Sequence, residues 1–93
     1  MAKLTEAEIA EQLKSLPGWS YANGEITRSF EFSDFGAAFS FATQIALKAE
    51  ASGHHPDMDI RYNKVRLGLV SHDSGGVTSR DVKFAGAVNQ IRP

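Results

Sequence analysis

Three histidines lie close together in this chain of 93 residues, at positions 54, 55 and 72. His54 and His55 follow an amphipathic helical pattern and precede a strand pattern, and His72 comes at the end of the next strand pattern. Imidazole titrates near neutral pH, so these residues suit proton transfer at a site carried by loops. Loop histidines are also often merely solvated, and their spacing alone leaves both interpretations open.

A zinc site is the second chemistry that three imidazoles could support, because catalytic zinc commonly has three protein ligands and one open position. Adjacent histidines in extended backbone point to opposite sides, which disfavours His54 and His55 as ligands of one ion. The sequence also lacks a histidine pair at helical positions i and i+4. We therefore expect no metal in the site.

Two carboxylates and an aromatic ring could assist the histidines. Glu50 precedes His54 by four positions, where it could orient an imidazole or could be a solvated helix-end residue. Asp81 stands three positions after Thr78, a spacing that favours a structural role in helix capping. Tyr62 could stack on a flat ring or pack at the rim of the core.

The elements that must position these residues begin with a helix and a hairpin. Thr5 and Glu8 have the spacing of a capping box, and the apolar repeat that follows ends at Pro17-Gly18. Strand patterns over residues 19–22 and 25–32 flank an Asn-Gly pair, which is the preferred pair for a tight turn. We predict one helix followed by one antiparallel hairpin.

A second helix and a second hairpin carry the histidines themselves. We predict that Ser33 caps the helix and that Gly53 ends it. Two alternating segments, 58–62 and 65–69, predict the second hairpin, with its turn at residues 63–64. The apolar stripe predicted for the helix consists of Phe35, Ala38, Phe39, Ala42, Ile45, Ala46 and Ala49.

A third helix starting at Thr78 completes the order α-β-β-α-β-β-α. We predict a single α+β domain over residues 1–93, with a four-stranded antiparallel sheet and the helices packed on one face. Because the end of a hairpin's second strand lies beside the start of its first, His72 should return to His54 and His55. The apolar stripe of the third helix consists of Phe84, Val88 and Ile91.

Composition restricts the class of protein. The chain is 42% hydrophobic and 23% charged, an ordinary globular profile, and it has no cysteine. A formal net charge of -1 and scattered basic residues argue against direct binding of nucleic acid. The sequence shows no signal-peptide pattern and no apolar segment long enough to span a bilayer. We expect a cytoplasmic protein with no membrane partner.

Seven residues stand at fixed offsets from one another: Glu50, His54, His55, Pro56, Tyr62, His72 and Asp81. Together with the Leu-Pro-Gly-Trp segment at 16–19 and the carboxyl-terminal region, this set resembles the pterin-4a-carbinolamine dehydratase family along nearly the whole chain. One departure is Ser71, where threonine is expected more often. Both residues carry a hydroxyl group, so the resemblance is not weakened.

The resemblance implies dehydration of 4a-hydroxytetrahydrobiopterin to quinonoid dihydropterin and water, which recycles the pterin cofactor of aromatic amino acid hydroxylases. It implies catalysis by His54 and His72 as acid and base, in an order that the sequence leaves open. His55, the third catalytic candidate, is assigned mainly to substrate binding. No metal and no organic cofactor is implied. The further residues implied in substrate binding are Glu50, Tyr62 and Asp81.

Two alternatives remain open at this point. One is a non-catalytic binding or assembly module. Animal members of the family also act as dimerisation cofactors for a homeodomain transcription factor. Another branch, which is expected to lack the histidines, assembles a carboxysomal carboxylase. A dehydratase acting on another pterin is the second. The presence of all three histidines favours the enzyme. The resemblance and the unpaired edges of a small antiparallel sheet also predict a homodimer or homotetramer.

Overall fold

Two hairpins share one sheet in this fold. The computed structural model describes residues 2–92, and its strands are β1 (Ser20–Ala22), β2 (Glu25–Glu31), β3 (Asp57–Arg61) and β4 (Lys64–Leu69). All neighbouring strands are antiparallel, and their spatial order is β1-β2-β4-β3. The second hairpin therefore places β4 beside β2 and leaves β3 at an edge of the sheet.

The helices cover one face of this sheet, which confirms the predicted α+β architecture and its element order. The register puts Ile26 of β2 opposite Leu69 of β4, and both side chains are fully buried beneath the helices. Within residues 2–92, no helix is long and apolar enough to cross a membrane. The helical elements are α1 (Glu6–Leu13), α2 (Phe35–Ser52), a short 3₁₀ turn (His72–Ser74) and α3 (Ser79–Ile91).

Capping boxes begin the first and last helices, as the sequence predicts. The backbone N–H of Thr5 donates to Glu8 at 2.8 Å, and the N–H of Glu8 donates to Thr5 Oγ1 at 3.1 Å. In α3 the N–H of Thr78 donates to Asp81 Oδ2 at 2.8 Å. Helix α1 ends at Leu13, earlier than predicted, and backbone hydrogen bonds of i to i+3 spacing carry the chain through a turn to the buried Leu16.

Helix α2 differs from the prediction at its amino end. Its N-cap is Asp34, which accepts a backbone hydrogen bond of 2.8 Å from the first turn, so the predicted cap at Ser33 is one residue too early. Phe35 and Phe39, predicted in the apolar stripe, are 51% and 53% exposed because the sheet covers a narrower face of the helix. The buried residues of α2 are Ala38, Phe41, Ala42, Ile45 and Ala49.

The second hairpin turns one residue earlier than predicted. Its turn is Tyr62-Asn63, and Tyr62 has a left-handed φ of 50°, so it is a turn residue and not the last residue of a strand. The register pairs Asp57 with Gly68, which puts the start of β3 beside the end of β4. This pairing brings the segments on either side of the hairpin, residues 53–56 and 70–72, to the same end of the sheet.

Three apolar residues at the ends of elements lie outside their predicted positions. Trp19 precedes β1, and its buried indole N–H donates to Asn89 Oδ1 at 2.9 Å, which makes it a core residue. Phe32 follows β2 and does not belong to it. Ile91, at the last position of α3, is 38% exposed and so lies at the edge of the helix's buried stripe.

Candidate active site

An open depression of about 310 Å³ at one end of the sheet contains all three histidines. His54 and His55 follow Gly53, whose left-handed φ of 66° ends α2. His72 enters from the 3₁₀ turn after β4, as the hairpin geometry predicts. We call this region the histidine depression; besides the three histidines it is lined by Gly53, Val70, Ser71, Asp73 and Arg80.

His54 is the most enclosed of the three imidazoles. Its side chain is 12% exposed, its Nε2 lies 2.5 Å from Oδ1 of the fully buried Asp81, and the edge of its ring packs against Phe84. An ionised carboxylate can only accept, so this hydrogen bond requires the proton on Nε2. In the neutral ring Nδ1 is then the acceptor, which is the form that a general base needs.

The other oxygen of Asp81 is held by two further donors. Oδ2 accepts from the backbone N–H of Thr78 at 2.8 Å and from the hydroxyl of Ser71 at 2.9 Å. Because Ser71 has one hydroxyl proton, Thr78 Oγ1 must donate in the 2.8 Å contact between the two hydroxyls. The side chains of Ser71, Thr78 and Asp81 are all buried. Through the carboxylate of Asp81, His54 is therefore held to the end of β4 and the start of α3.

His55 forms a separate pair on the surface. Its Nε2 lies 2.8 Å from Glu50 Oε1, and the two side chains are 61% and 77% exposed. An exposed pair of this kind contributes little to stability, typically less than about 1 kcal/mol. Its position at the mouth of the depression leaves both groups accessible to a ligand.

His72 is exposed and is carried by a loop that is closed at two points. The backbones of Ser71 and Gly76 pair across the loop, and Arg80 Nη2 donates to Asp73 Oδ1 at 2.6 Å. This hydrogen bond lowers the pKa of Asp73 and raises the pKa of Arg80. A carboxyl whose pKa is lowered on folding stabilises the fold above its unfolded pKa of about 3.9, and this contribution disappears as the pH falls through the folded-state pKa. The loop contact is therefore intact at neutral pH.

The structure does not bring Tyr62 to the histidine depression. Tyr62 lies in the turn at the opposite end of the β3–β4 hairpin and is 66% exposed. The length of β3, roughly 13 Å at about 3.3 Å per residue, separates that turn from the start of the strand. In a single chain, Tyr62 and the histidines therefore face separate regions.

Two residues of the site escaped the sequence analysis. Ser71 drew notice only as a departure from the resemblance, yet its hydroxyl is one of the donors to Asp81. Arg80 was not identified at all, because an arginine on the first turn of a helix has no distinguishing spacing. The signal for Ser71 was the capping pattern itself, since a buried carboxylate can accept more hydrogen bonds than the single N–H of the cap supplies and so needs further donors.

Potential metal ligands are not grouped in this site. Across the part of the chain that the structure describes, no three histidine, cysteine, aspartate or glutamate side chains are placed to hold an ion. The two carboxylates nearest the imidazoles are each bonded to a different ring, Asp81 to His54 and Glu50 to His55. This arrangement suits two carboxylate–imidazole pairs.

Comparison with known proteins connects this geometry with a family. Residues 2–91 match the family described as pterin 4 alpha carbinolamine dehydratase. The chain belongs to the pterin-4a-carbinolamine dehydratase family. The family match extends over nearly the full length of the chain and includes all seven residues that stand at fixed spacing.

Members of this dehydratase family from several bacteria are close in sequence and in fold. Proteins of Chloroflexus aurantiacus and Acidobacterium capsulatum, both provisionally named pterin-4-alpha-carbinolamine dehydratase, are 55% and 54% identical over 91 residues. The matches cover 98% of this chain and 98% and 99% of those relatives. A crystal structure from Brucella melitensis, described as transcriptional coactivator/pterin dehydratase, is 44% identical with a TM-score of 0.92, and the match covers 98% of this chain and 99% of that one.

Proposed function

We propose that this protein dehydrates 4a-hydroxytetrahydrobiopterin to quinonoid dihydropterin and water. The observation that carries the proposal is the His54–Asp81 hydrogen bond, in a depression that His55 and His72 also line. Membership of the dehydratase family supports the pterin as the class of substrate. Such a reaction would recycle the pterin cofactor of aromatic amino acid hydroxylases, and we place it in the cytoplasm.

The proposed reaction moves two protons and breaks one carbon–oxygen bond. A base takes the proton from ring nitrogen N5, and the electron pair of that N–H bond forms the double bond between N5 and C4a. The C4a–O bond breaks, and its electron pair leaves with the oxygen, which gains a proton to become water. Two imidazoles near neutral pH can supply both steps, each by general acid–base catalysis.

The geometry supports a specific division of these roles. His54 has its Nε2–H committed to Asp81, so its Nδ1 is suited to accept the proton from N5. His72 is exposed on the same depression and would deliver the proton to the 4a-hydroxyl. The family resemblance grouped Asp81 with the substrate-binding residues, but because its side chain is fully buried we assign it to positioning His54 and stabilising its charged form.

His55, with Glu50 beside it, is proposed to bind the substrate without moving a proton. Replacing His55 by alanine should raise KM roughly 3- to 10-fold with little change in kcat, because a hydrogen bond made equally in ground and transition states affects binding alone. Steady-state kinetics on the variant measures this split. Glu50→Ala should add little in the His55→Ala background, since it acts through the imidazole. A fall in kcat of a hundredfold would instead place His55 in the chemistry.

The function is tested by direct turnover. Purified protein is mixed with freshly generated 4a-hydroxytetrahydrobiopterin in the presence of a chelator, and formation of quinonoid dihydropterin is followed by absorbance against the spontaneous rate. We expect acceleration without any added metal or cofactor. The coactivator description of the Brucella structure favours a second candidate, a non-catalytic binding module. A folded protein that leaves the spontaneous rate unchanged would support that candidate.

We predict that the protein forms a homodimer or homotetramer. Strand β3 lies at the edge of the sheet, and α2 exposes Phe35, Phe39 and Leu47 along one side. An exposed strand edge can pair with another chain, and a contiguous exposed apolar patch commonly marks a protein–protein interface. Light scattering at micromolar concentration should give a multiple of the 10.1 kDa chain mass. Phe39→Glu should reduce the oligomer while Gln44→Glu should not, and a monomeric unmodified protein would contradict the prediction.

A further inference from the structure

A second cavity of about 410 Å³ adjoins the histidine depression, between the last turns of α2 and the first half of α3. Its apolar floor includes Phe84 and Ala87 of α3. His54 and Arg80 line both cavities, so the two spaces are neighbours that share one wall. We call this second cavity the cationic cleft; its charged lining consists of Lys48, Arg80 and Lys83.

The cleft concentrates positive charge that the rest of the chain does not have. The whole protein carries a formal net charge of -1, yet three basic residues and no carboxylate line this cavity. Within residues 2–92, neither Lys48 nor Lys83 forms an ion pair. Converging like charges repel one another, and an anion between them would relieve that repulsion.

Arg80 also has hydrogen-bonding capacity that its partners do not use. Its Nη2 donates to Asp73 and approaches Ser74 Oγ at 3.4 Å. Its Nε–H is buried, and no hydrogen-bond acceptor for it lies among the residues that the structure describes. A buried donor without an acceptor is uncommon in folded proteins and is often explained by a missing ligand or water. The guanidinium at the boundary of the two cavities therefore has an incomplete set of partners.

The substrate's own connectivity points into this cleft. In a pterin, the side chain is attached at C6, which is the ring atom bonded to N5. If His54 takes the proton from N5, the C6 substituent leaves the ring beside His54, the residue that separates the histidine depression from the cationic cleft. A substituent of a few bonds in length would then enter the cavity that Lys48 and Lys83 line.

We propose that the cationic cleft binds an anionic group, a phosphate or a carboxylate, on the C6 substituent of the pterin. This inference rests on the proposed function for the orientation of the ring. It extends the substrate class from pterins with a neutral side chain to pterins whose side chain ends in an anion. The two lysines are the specificity-determining residues of this subsite, and the histidines act in the same way on either class of substrate.

The experiment measures binding as well as turnover. Dissociation constants are compared for three 7,8-dihydropterins whose C6 side chains end in a hydroxyl, a phosphate or a carboxylate. At low salt we expect an anionic compound to bind roughly 5- to 30-fold more tightly than the neutral one, as two partly exposed ion pairs would give. This preference should shrink as salt is raised. Comparison of the phosphate and carboxylate compounds identifies which anion the cleft accepts.

Two double variants with the same change in net charge decide whether the cleft is responsible. Lys48→Ala/Lys83→Ala should abolish the preference for the anionic compounds, and the control Lys14→Ala/Lys64→Ala should retain it. Equal binding of all three compounds to the unmodified protein, or a preference that survives loss of Lys48 and Lys83, would overturn the proposal. Turnover of the neutral carbinolamine by the unmodified protein reports separately on the dehydratase assignment, so the two can fail independently.

Discussion

Replacing His54 or His72 by alanine is expected to lower kcat for the carbinolamine by two to four orders of magnitude, which is the usual contribution of one general acid or base. Each change removes one of the two proton transfers that the dehydration needs. The loss will be smaller if His55, which lines the same depression, substitutes for its neighbour. Rates at saturating substrate, corrected for the spontaneous reaction, give the reduction in kcat for each variant.

The same variants must be shown to be folded. His72 is exposed, so its removal should leave the thermal midpoint unchanged. His54 contacts Asp81 and Phe84, and its removal should cost about 1–3 kcal/mol of unfolding free energy, which leaves a folded protein at room temperature. If the double variant of His54 and His72 remained folded and retained full turnover, the proposed acid–base mechanism would be wrong.

Replacing Asp81 by asparagine should lower kcat by about two to four orders of magnitude while most of the structure is retained. The amide oxygen can take the place of Oδ2 and still accept from Thr78 and Ser71. The amide NH₂ then takes the place of Oδ1 and donates to Nε2 of His54. The ring must carry its proton on Nδ1 instead, so the nitrogen that should act as a base becomes a donor.

The tautomer itself can be observed in this variant. Imidazole ¹⁵N chemical shifts distinguish a protonated Nε2 from a protonated Nδ1. For His54 we expect a protonated Nε2 in the unmodified protein and a protonated Nδ1 in Asp81→Asn. Asp59→Asn, a change of the same chemistry at an exposed strand position, is the matched control. Asp81→Ala should instead cost about 2–4 kcal/mol of stability, because the helix cap and two buried donors lose their acceptor. Unchanged ¹⁵N shifts in a slow Asp81→Asn enzyme would exclude tautomer control.

Local chemistry predicted most of the fold. The capping boxes at Thr5 and Thr78 have short-range partners, so their spacing in the sequence is enough to identify them. The meeting of His54 with His72 was also predictable, because antiparallel pairing returns the end of β4 to the start of β3. The caps depend on residues three positions apart and the meeting of the histidines on one hairpin, so no packing between distant elements was needed to infer them.

Features set by packing between distant elements could not be predicted in the same way. Phe35 and Phe39 fit the helical period as well as the buried residues do, but packing of α2 on the sheet leaves both exposed in the single chain. Tyr62 continues the alternating pattern of the sequence, but strand β3 ends one residue earlier, at Arg61. Arg80 and the cationic cleft depend on how closely α2 approaches α3, a distance that no spacing along the chain specifies.

The carboxylate of Asp81 ties the reactivity of this protein to its architecture. One oxygen accepts from the first turn of α3 and the other bonds the imidazole of His54, so fraying of that turn would also release the ring from its anchor. A substitution at Asp81 therefore changes the stability of α3 and the orientation of His54 together. Substrate preference on this fold should change instead through the exposed residues around Asp81, where substitutions alter ligand binding with little effect on the stability of the fold.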